Sequence, residues 1–307
     1  MASPPNYLRP DVLARISDLE LRARYAVEGF ISGMHRSPYS GYSVEFAQHR
    51  EYVPGDDLRR LDWRVYGKTD RFYIKQYEEE TNLQAHVIVD CSASMRYPAH
   101  TDRSDRLTKF EYAATLAASM TYLLTHQQDA VGLMLFDDRI RASIAPQSHH
   151  AHLLSIIRQL EQARLEHPTG GKALFAELAR NLRRRSIVVI ISDLLADLDE
   201  LVAGLQSMRH GNHEVVVMHL LDADERTFPF QDHTLFEGLE AVDQNLLIDP
   251  QSLRQGYIAA LDAFTTRLRG ACAGAKIDFV ELSTTDPLDI ALRRYLTARS
   301  HWVKARA

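Results

Sequence analysis

Two short runs set carboxylates and hydroxyls directly after apolar stretches: Asp90-Cys91-Ser92-Ala93-Ser94 and Ser192-Asp193. These residue types suit a hard cation. One carboxylate bound directly, two serine hydroxyls and a second carboxylate acting through water make an oxygen-only site matched to Mg²⁺ or Mn²⁺. The same aspartates have a plainer use, because each can cap the helix that follows its strand. Spacing alone leaves both readings open. A phosphatase of the haloacid-dehalogenase type would use Asp90 as nucleophile, but it needs a second Asp two residues on as general acid, and that position is Ser92.

For the two runs to meet, their strands must be neighbours. Apolar runs at Ala85–Val89, Ala130–Phe136, Ile187–Ile191, Val215–Leu220 and Ile277–Leu282 predict strands, with helical patterns near 107–127, 150–164, 173–184, 197–209 and 252–272. Val188, Val189, Ile190 and Ile191 show no polar alternation, as in a strand buried on both faces of a parallel sheet. Ala113, Ala114, Ala117 and Ala118 allow the second of these elements to lie close to a sheet. Leu253, Tyr257, Leu261, Phe264, Leu268 and Cys272 recur every three or four residues on one helix face. Asp286-Pro287 opens the last helix.

This alternation predicts an α/β fold, a doubly wound and mostly parallel sheet flanked by helices. Ligands of such sheets bind outside the carboxyl ends of the strands, where Asp90 and Asp193 would share one edge. Arg139–Ile144 reads as a short antiparallel edge strand. Upstream, Asp11–Gly33 reads as an amphipathic helix that starts at Pro10-Asp11, places Leu13, Ile16, Leu19, Val27 and Phe30 on its apolar positions and stops at Gly33. Residues 37–82 are too polar for a core of their own and hold short extended runs such as Arg71–Lys75. The expected organisation is an N-terminal helix and wrapping β-rich region over 1–83, the α/β domain over 84–300 and a tail over 301–307.

The 307 residues carry 36 Lys and Arg against 41 Asp and Glu, a formal charge of −5, which is not the footprint of a dedicated nucleic-acid binder. Two cysteines, Cys91 and Cys272, cannot build a multi-bridge framework or a four-cysteine zinc site. No secretory leader is evident and no run approaches the roughly 18 apolar residues of a membrane span, so a cytoplasmic location is expected. His149, His150 and His152 read as solvated surface, Arg183-Arg184-Arg185 as a cationic last helical turn, Asp137-Asp138 as a tight polar turn and Glu78-Glu79-Glu80 as a solvated edge. Asp56, Asp57, Arg59, Asp62 and Trp63 read as an ion-pair and turn network or as a partner surface, and Cys91 as a packed thiol. There is no Gly-x-x-x-x-Gly-Lys phosphate loop.

Asp90-Cys91-Ser92-Ala93-Ser94 resembles the Asp-x-Ser-x-Ser metal-ion-dependent adhesion site of von Willebrand factor A domains. Gly41-Tyr42-Ser43-Val44-Glu45-Phe46, then Arg50-Glu51-Tyr52-Val53-Pro54-Gly55-Asp56-Asp57-Leu58-Arg59 and Asp62-Trp63, resembles the signature of the domain of unknown function 58 family. Ser192-Asp193-Leu194, Pro287-Leu288, Ala291-Leu292 and Tyr295-Leu296 fit the same family, so the resemblance spans about residues 10–300. It implies a von Willebrand A-like domain behind a wrapping N-terminal region. It also implies an accessory of MoxR-type AAA+ ATPases that helps assemble or activate other complexes.

On that basis the expectation is an intracellular protein-binding adaptor rather than an enzyme. Asp90, Ser92, Ser94, Asp193 and Thr169 would hold a Mg²⁺ or Mn²⁺ whose open position takes an acidic side chain of a partner. The sequence departs from the pattern in one loop. Pro168-Thr169-Gly170-Gly171-Lys172 puts Lys172 where the usual Gly-Gly-Thr has its threonine. Either Thr169 supplies the hydroxyl from a shifted loop, or the Lys172 ammonium enters the site and opposes an ion by like-charge repulsion. The alternative function is a metal-dependent hydrolase using the Asp90 and Asp193 edge.

Overall fold

The computed structural model describes residues 10–13, 18–35, 49–51, 73–75, 84–98, 106–182, 184–240 and 244–304. The chain divides into two compact units, Gly33–Asn82 and the pair of segments Met1–Ser32 and Leu83–Ala307. Asp56, Asp57, Arg59, Asp62, Trp63 and Glu78–Glu80 lie outside the described residues.

The N-terminal segment forms α1 (Pro10–Leu13) and α2 (Leu19–His35). A single helix over 11–33 is therefore corrected at both ends. Asp18 Oδ1 accepts the Leu21 N–H at 2.8 Å and caps α2, while Gly33 lies within α2 and does not stop it. Ile16 lies outside the described residues. In the smaller unit, β1 (His49–Glu51) pairs antiparallel with β2 (Tyr73–Lys75), with Arg50 opposite Ile74.

The larger unit is built on β3 (Gln84–Asp90), α3 (Lys109–His126), β4 (Ala130–Phe136), β5 (Ile140–Gln147), α4 (His150–Glu161), α5 (Lys172–Asn181), β6 (Ile187–Ser192), α6 (Leu198–His210) and β7 (Glu214–Leu221). It continues through α7 (Ala223–Thr227), β8 (Thr234–Glu237), β9 (Asn245–Ile248), α8 (Pro250–Gly274), β10 (Asp278–Ser283) and α9 (Leu288–Lys304). The main sheet has the order β10-β7-β6-β3-β4-β5, all parallel except β5, which runs antiparallel to β4 at the edge. The chain leaves β3 towards β4 and later returns to β6 on the other side, so β3 and β6 flank the topological switch point.

Local chemistry explains these elements. β6 carries Ile187, Val188, Val189, Ile190 and Ile191, all fully buried, which is why no polar alternation shows in its sequence. Thr108 and Glu111 close a capping box on α3: Thr108 Oγ1 accepts the Glu111 N–H at 3.1 Å and Glu111 Oε2 accepts the Thr108 N–H at 2.8 Å. Behind that cap, Ala113, Ala114, Ala117 and Ala118 are buried. Gly204 of α6 lies against Phe175 of α5, where an added methyl would collide with the Phe175 Cβ.

Several finer expectations change. In α8 the buried residues are Pro250, Leu268 and Cys272, while Leu253 is 46% exposed, so the apolar stripe is covered only toward the C-terminal end. α5 ends at Asn181, so Arg184 and Arg185 lie beyond the helix rather than in its last turn; Arg185 faces Glu214 at 3.6 Å, and Arg183 lies outside the described residues. His152 is buried, with Nε2 2.6 Å from the Val131 carbonyl, and is structural rather than solvated surface; His149 and His150 are exposed as expected, His149 Nδ1 accepting the His152 N–H. The hairpin of β8 and β9 and the short α7 had no counterpart in the sequence reading. Residues 301–304 continue α9, and among the described residues no helix is long and apolar enough to cross a membrane.

Candidate functional site

The switch point gathers Asp90, at the end of β3, and Ser192-Asp193, at the end of β6 and one residue beyond it. Beyond Asp90 the chain enters a 3-10 turn over Ala93–Arg96. Asp90 is fully buried. Its Oδ1 accepts the Ser92 N–H at 2.8 Å and its Oδ2 accepts the Ser192 hydroxyl at 2.5 Å. Ser92 Oγ and Ser94 Oγ are 3.0 Å apart. Burial raises the Asp90 carboxyl to about 7, helped by the charge of Asp193 and opposed by the hydrogen bonds from Ser192 and Ser92.

Asp193 is equally buried, and its Oδ2 accepts from the Lys109 ammonium at 2.7 Å. Lys109 opens α3, is itself shut off from solvent and also donates to Glu225 Oε1 at 2.6 Å. Burial alone would lower the pKa of Lys109, but the charges of Asp193 and Glu225 outweigh it and hold the ammonium above its ordinary value. Burial raises the Glu225 carboxyl, against the pull of Lys109. The second Glu225 oxygen accepts the Asp222 N–H at 2.7 Å, closing the capping box of α7. Asp222, also buried, accepts from Thr284 at 2.6 Å and from Arg106 at 2.5 Å, and Arg106 reaches Asp224 at 3.0 Å. One ionic network thus spans the carboxyl ends of β6, β7 and β10.

The loop ahead of α5 sits where the expectation needs it, because the Ala93 N–H donates to the His167 carbonyl at 2.7 Å and the Gly170 N–H to the Asp137 carbonyl at 2.8 Å. Thr169 nevertheless directs both its N–H and its hydroxyl to Glu240 Oε1, at 3.2 and 3.1 Å. The Lys172 side chain lies outside the described residues. Asp137 and Asp138 form the anticipated turn, both held by Arg141 at 2.5 and 2.7 Å. Cys91 is buried, and its thiol is pushed up to about 12 by burial and by the charges of Asp137 and Asp90, which keeps it protonated and unreactive.

Asp90, Ser92 and Ser94 therefore come together, Asp193 lies beside them on the same edge, and Thr169 is committed to Glu240. Each Asp90 oxygen already accepts a hydrogen bond, and a fixed ammonium holds the second carboxylate. No group of three or more His, Cys, Asp or Glu that could hold a metal occurs among the described residues. Ser92 and Ser94 face each other, and the Ser192 hydroxyl on Asp90 is wholly buried.

Ser192, Glu225 and Lys109 were missed. The last had a signal, since a lysine in the first turn of an otherwise apolar helix opposes the macrodipole and needs a local acid to hold it there.

The strand order, the antiparallel edge strand and the Asp-x-Ser-x-Ser turn at the switch point define a von Willebrand A-like α/β domain. Residues 48–266 match the family described as "Protein of unknown function DUF58", and the chain belongs to that family. Uncharacterized protein Rv1480 of Mycobacterium tuberculosis is 27% identical over 310 residues, covering 96% of this chain and 94% of that one. Among solved structures, the conserved hypothetical protein BatB from Bacteroides thetaiotaomicron is similar with a TM-score of 0.47 and 13% identity, covering 71% of this chain and 99% of that one. The VWA domain of SpRpn10 is similar with a TM-score of 0.35 and 15% identity, covering 67% of this chain and 91% of that one.

Proposed function

We propose that this chain is a cytoplasmic protein-binding adaptor of a MoxR-type AAA+ ATPase, engaging partners at the strand-end edge without a divalent ion and without chemistry of its own. The carrying observation is the Lys109 ammonium shut between Asp193 and Glu225, which supports a reading in which a fixed charge already occupies one of the carboxylates an adhesion site would use. A site built this way keeps its charges and hydroxyls buried, so a partner would engage the exposed rim around it, where Arg96 lies. The ATPase partner rests on the family resemblance, and the cytoplasmic setting on two free cysteines.

The test mixes the purified chain with a MoxR-type AAA+ ATPase and measures the complex by light scattering with and without EDTA, nucleotide being absent. Arg96→Glu reverses an exposed charge on the turn that follows Asp90 and leaves the core untouched. A complex insensitive to EDTA and weakened by Arg96→Glu is the expected result. Failure to associate overturns the adaptor reading. Turnover of a phosphoester or peptide that Asp90→Ala abolishes would establish the hydrolase instead.

A further inference from the structure

We propose that a cleft beside the strand-end edge is the receptor for a lysine or arginine side chain of a protein partner, an inference that rests on the adaptor reading. The cleft has a volume of about 500 Å³ and lies between the loop after β6, the end of β7 and α8. Leu195, Leu221, Leu261 and Phe264 form its apolar walls, and Asp193, Asp197 and His219 are its polar side chains.

Each of those polar side chains offers only acceptors. His219 is 1% exposed, and its Nε2–H donates to the Asp193 carbonyl at 3.1 Å. That bond fixes the tautomer and leaves Nδ1 a lone-pair acceptor, and Nδ1 has no partner among the described residues. Buried acceptors without donors are rare in native proteins; this one is closed to solvent beside the Phe264 and Phe279 rings, so a donor reaches it from the cleft only as those side chains give way. Asp197 gives Oδ1 to the Asp199 and Glu200 N–H groups as the cap of α6 and is otherwise exposed, so its charge faces the opening. Asp193 is held by Lys109 and contributes shape more than free charge.

The surrounding charges lean the same way. Asp199, Glu200 and Glu225 add negative charge, against Lys109 between Asp193 and Glu225 and the exposed Arg267, which is 3.4 Å from Asp199. An occupant must therefore bring donors on an aliphatic stem, which is the chemistry of lysine and arginine. Leu195, 48% exposed at the rim, supplies apolar surface for that stem.

The experiment titrates the full chain, labelled with ¹⁵N at histidine, with four capped tripeptides: alanine–X–alanine in which X is lysine, arginine, acetyl-lysine or glutamate. The lysine and arginine peptides are expected to bind saturably and move the unprotonated Nδ1 signal of His219 upfield, while the other two do neither. Asp197→Asn keeps the helix cap but removes the charge, and should weaken binding about tenfold, the loss of one charge-assisted hydrogen bond. No binding, equal binding of the glutamate peptide, or full binding by Asp197→Asn overturns the proposal. A cleft that binds the peptides in a chain that captures no ATPase would sink the adaptor reading alone.

Discussion

Lys109 Nζ stands 2.7 Å from Asp193 Oδ2, with both side chains closed to solvent, although 84 residues separate them along the chain. Breaking a buried pair from one side leaves the other charge desolvated and unpaired, which costs about 3–5 kcal/mol. Lys109→Met should lose that much in urea denaturation. Lys109→Met combined with Asp193→Asn should recover only part of it, because Glu225 still loses its partner. A single variant that loses under about 1 kcal/mol would show that the pair is not shielded as described.

The same pair sets the response to divalent ions. Mg²⁺ or Mn²⁺ added to metal-stripped wild type is expected to leave the unfolding temperature unmoved. In Lys109→Met, Asp193 is released to join Asp90, Ser92 and Ser94, and a saturable rise should appear. Stabilisation of about 2.7 kcal/mol corresponds to ion at a hundred times its dissociation constant. Saturable stabilisation of the wild type that Asp90→Ala abolishes would restore the metal site.

Gly204 fixes how closely α6 approaches α5. Its missing side chain makes room for Phe175, whose ring also meets Phe136 edge-on with centroids 6.0 Å apart. Alanine would normally favour a helix, yet here Gly204→Ala should destabilise by about 1–3 kcal/mol through overpacking. Calorimetry checks this, and unchanged or raised stability would mean that the helices separate without cost.

How much of this was legible follows from what each feature depends on. The apolar run of β6 and the acids that end β3 and β6 are local facts, so the sheet, the switch point and the meeting of Asp90 with Ser92 and Ser94 could be read directly. The role of Lys109 depends on Asp193 and Glu225 arriving from other strands, which no local pattern carries. Thr169 had the right type and loop, but Glu240, 71 residues away, takes its hydroxyl. In the hairpin of β8 and β9, β9 escaped because Leu246 and Leu247 are 61% and 68% exposed, so its residues do not alternate between a covered and an open face.

Acid sensitivity should come largely from buried histidines. His86, on β3, is 6% exposed, its Nδ1 has no hydrogen-bond partner, and burial, followed by the charge of His213, lowers its pKa from 6.5 to about 4. Because the folded value is depressed, the unfolded chain takes up a proton first as the pH falls. The stabilisation is thus complete above 6.5 and is lost progressively towards 4. The full depression is worth about 3 kcal/mol. His219, lowered to about 4 by burial, adds a second loss of the same sign. Asp90, raised to about 7, acts in the opposite sense across this window, so the comparison of variants carries the test: on acidification the urea midpoint of His86→Val should lose less, or gain more, than that of the wild type. Equal slopes in the two proteins would mean that His86 takes up its proton in the folded state near the ordinary pH.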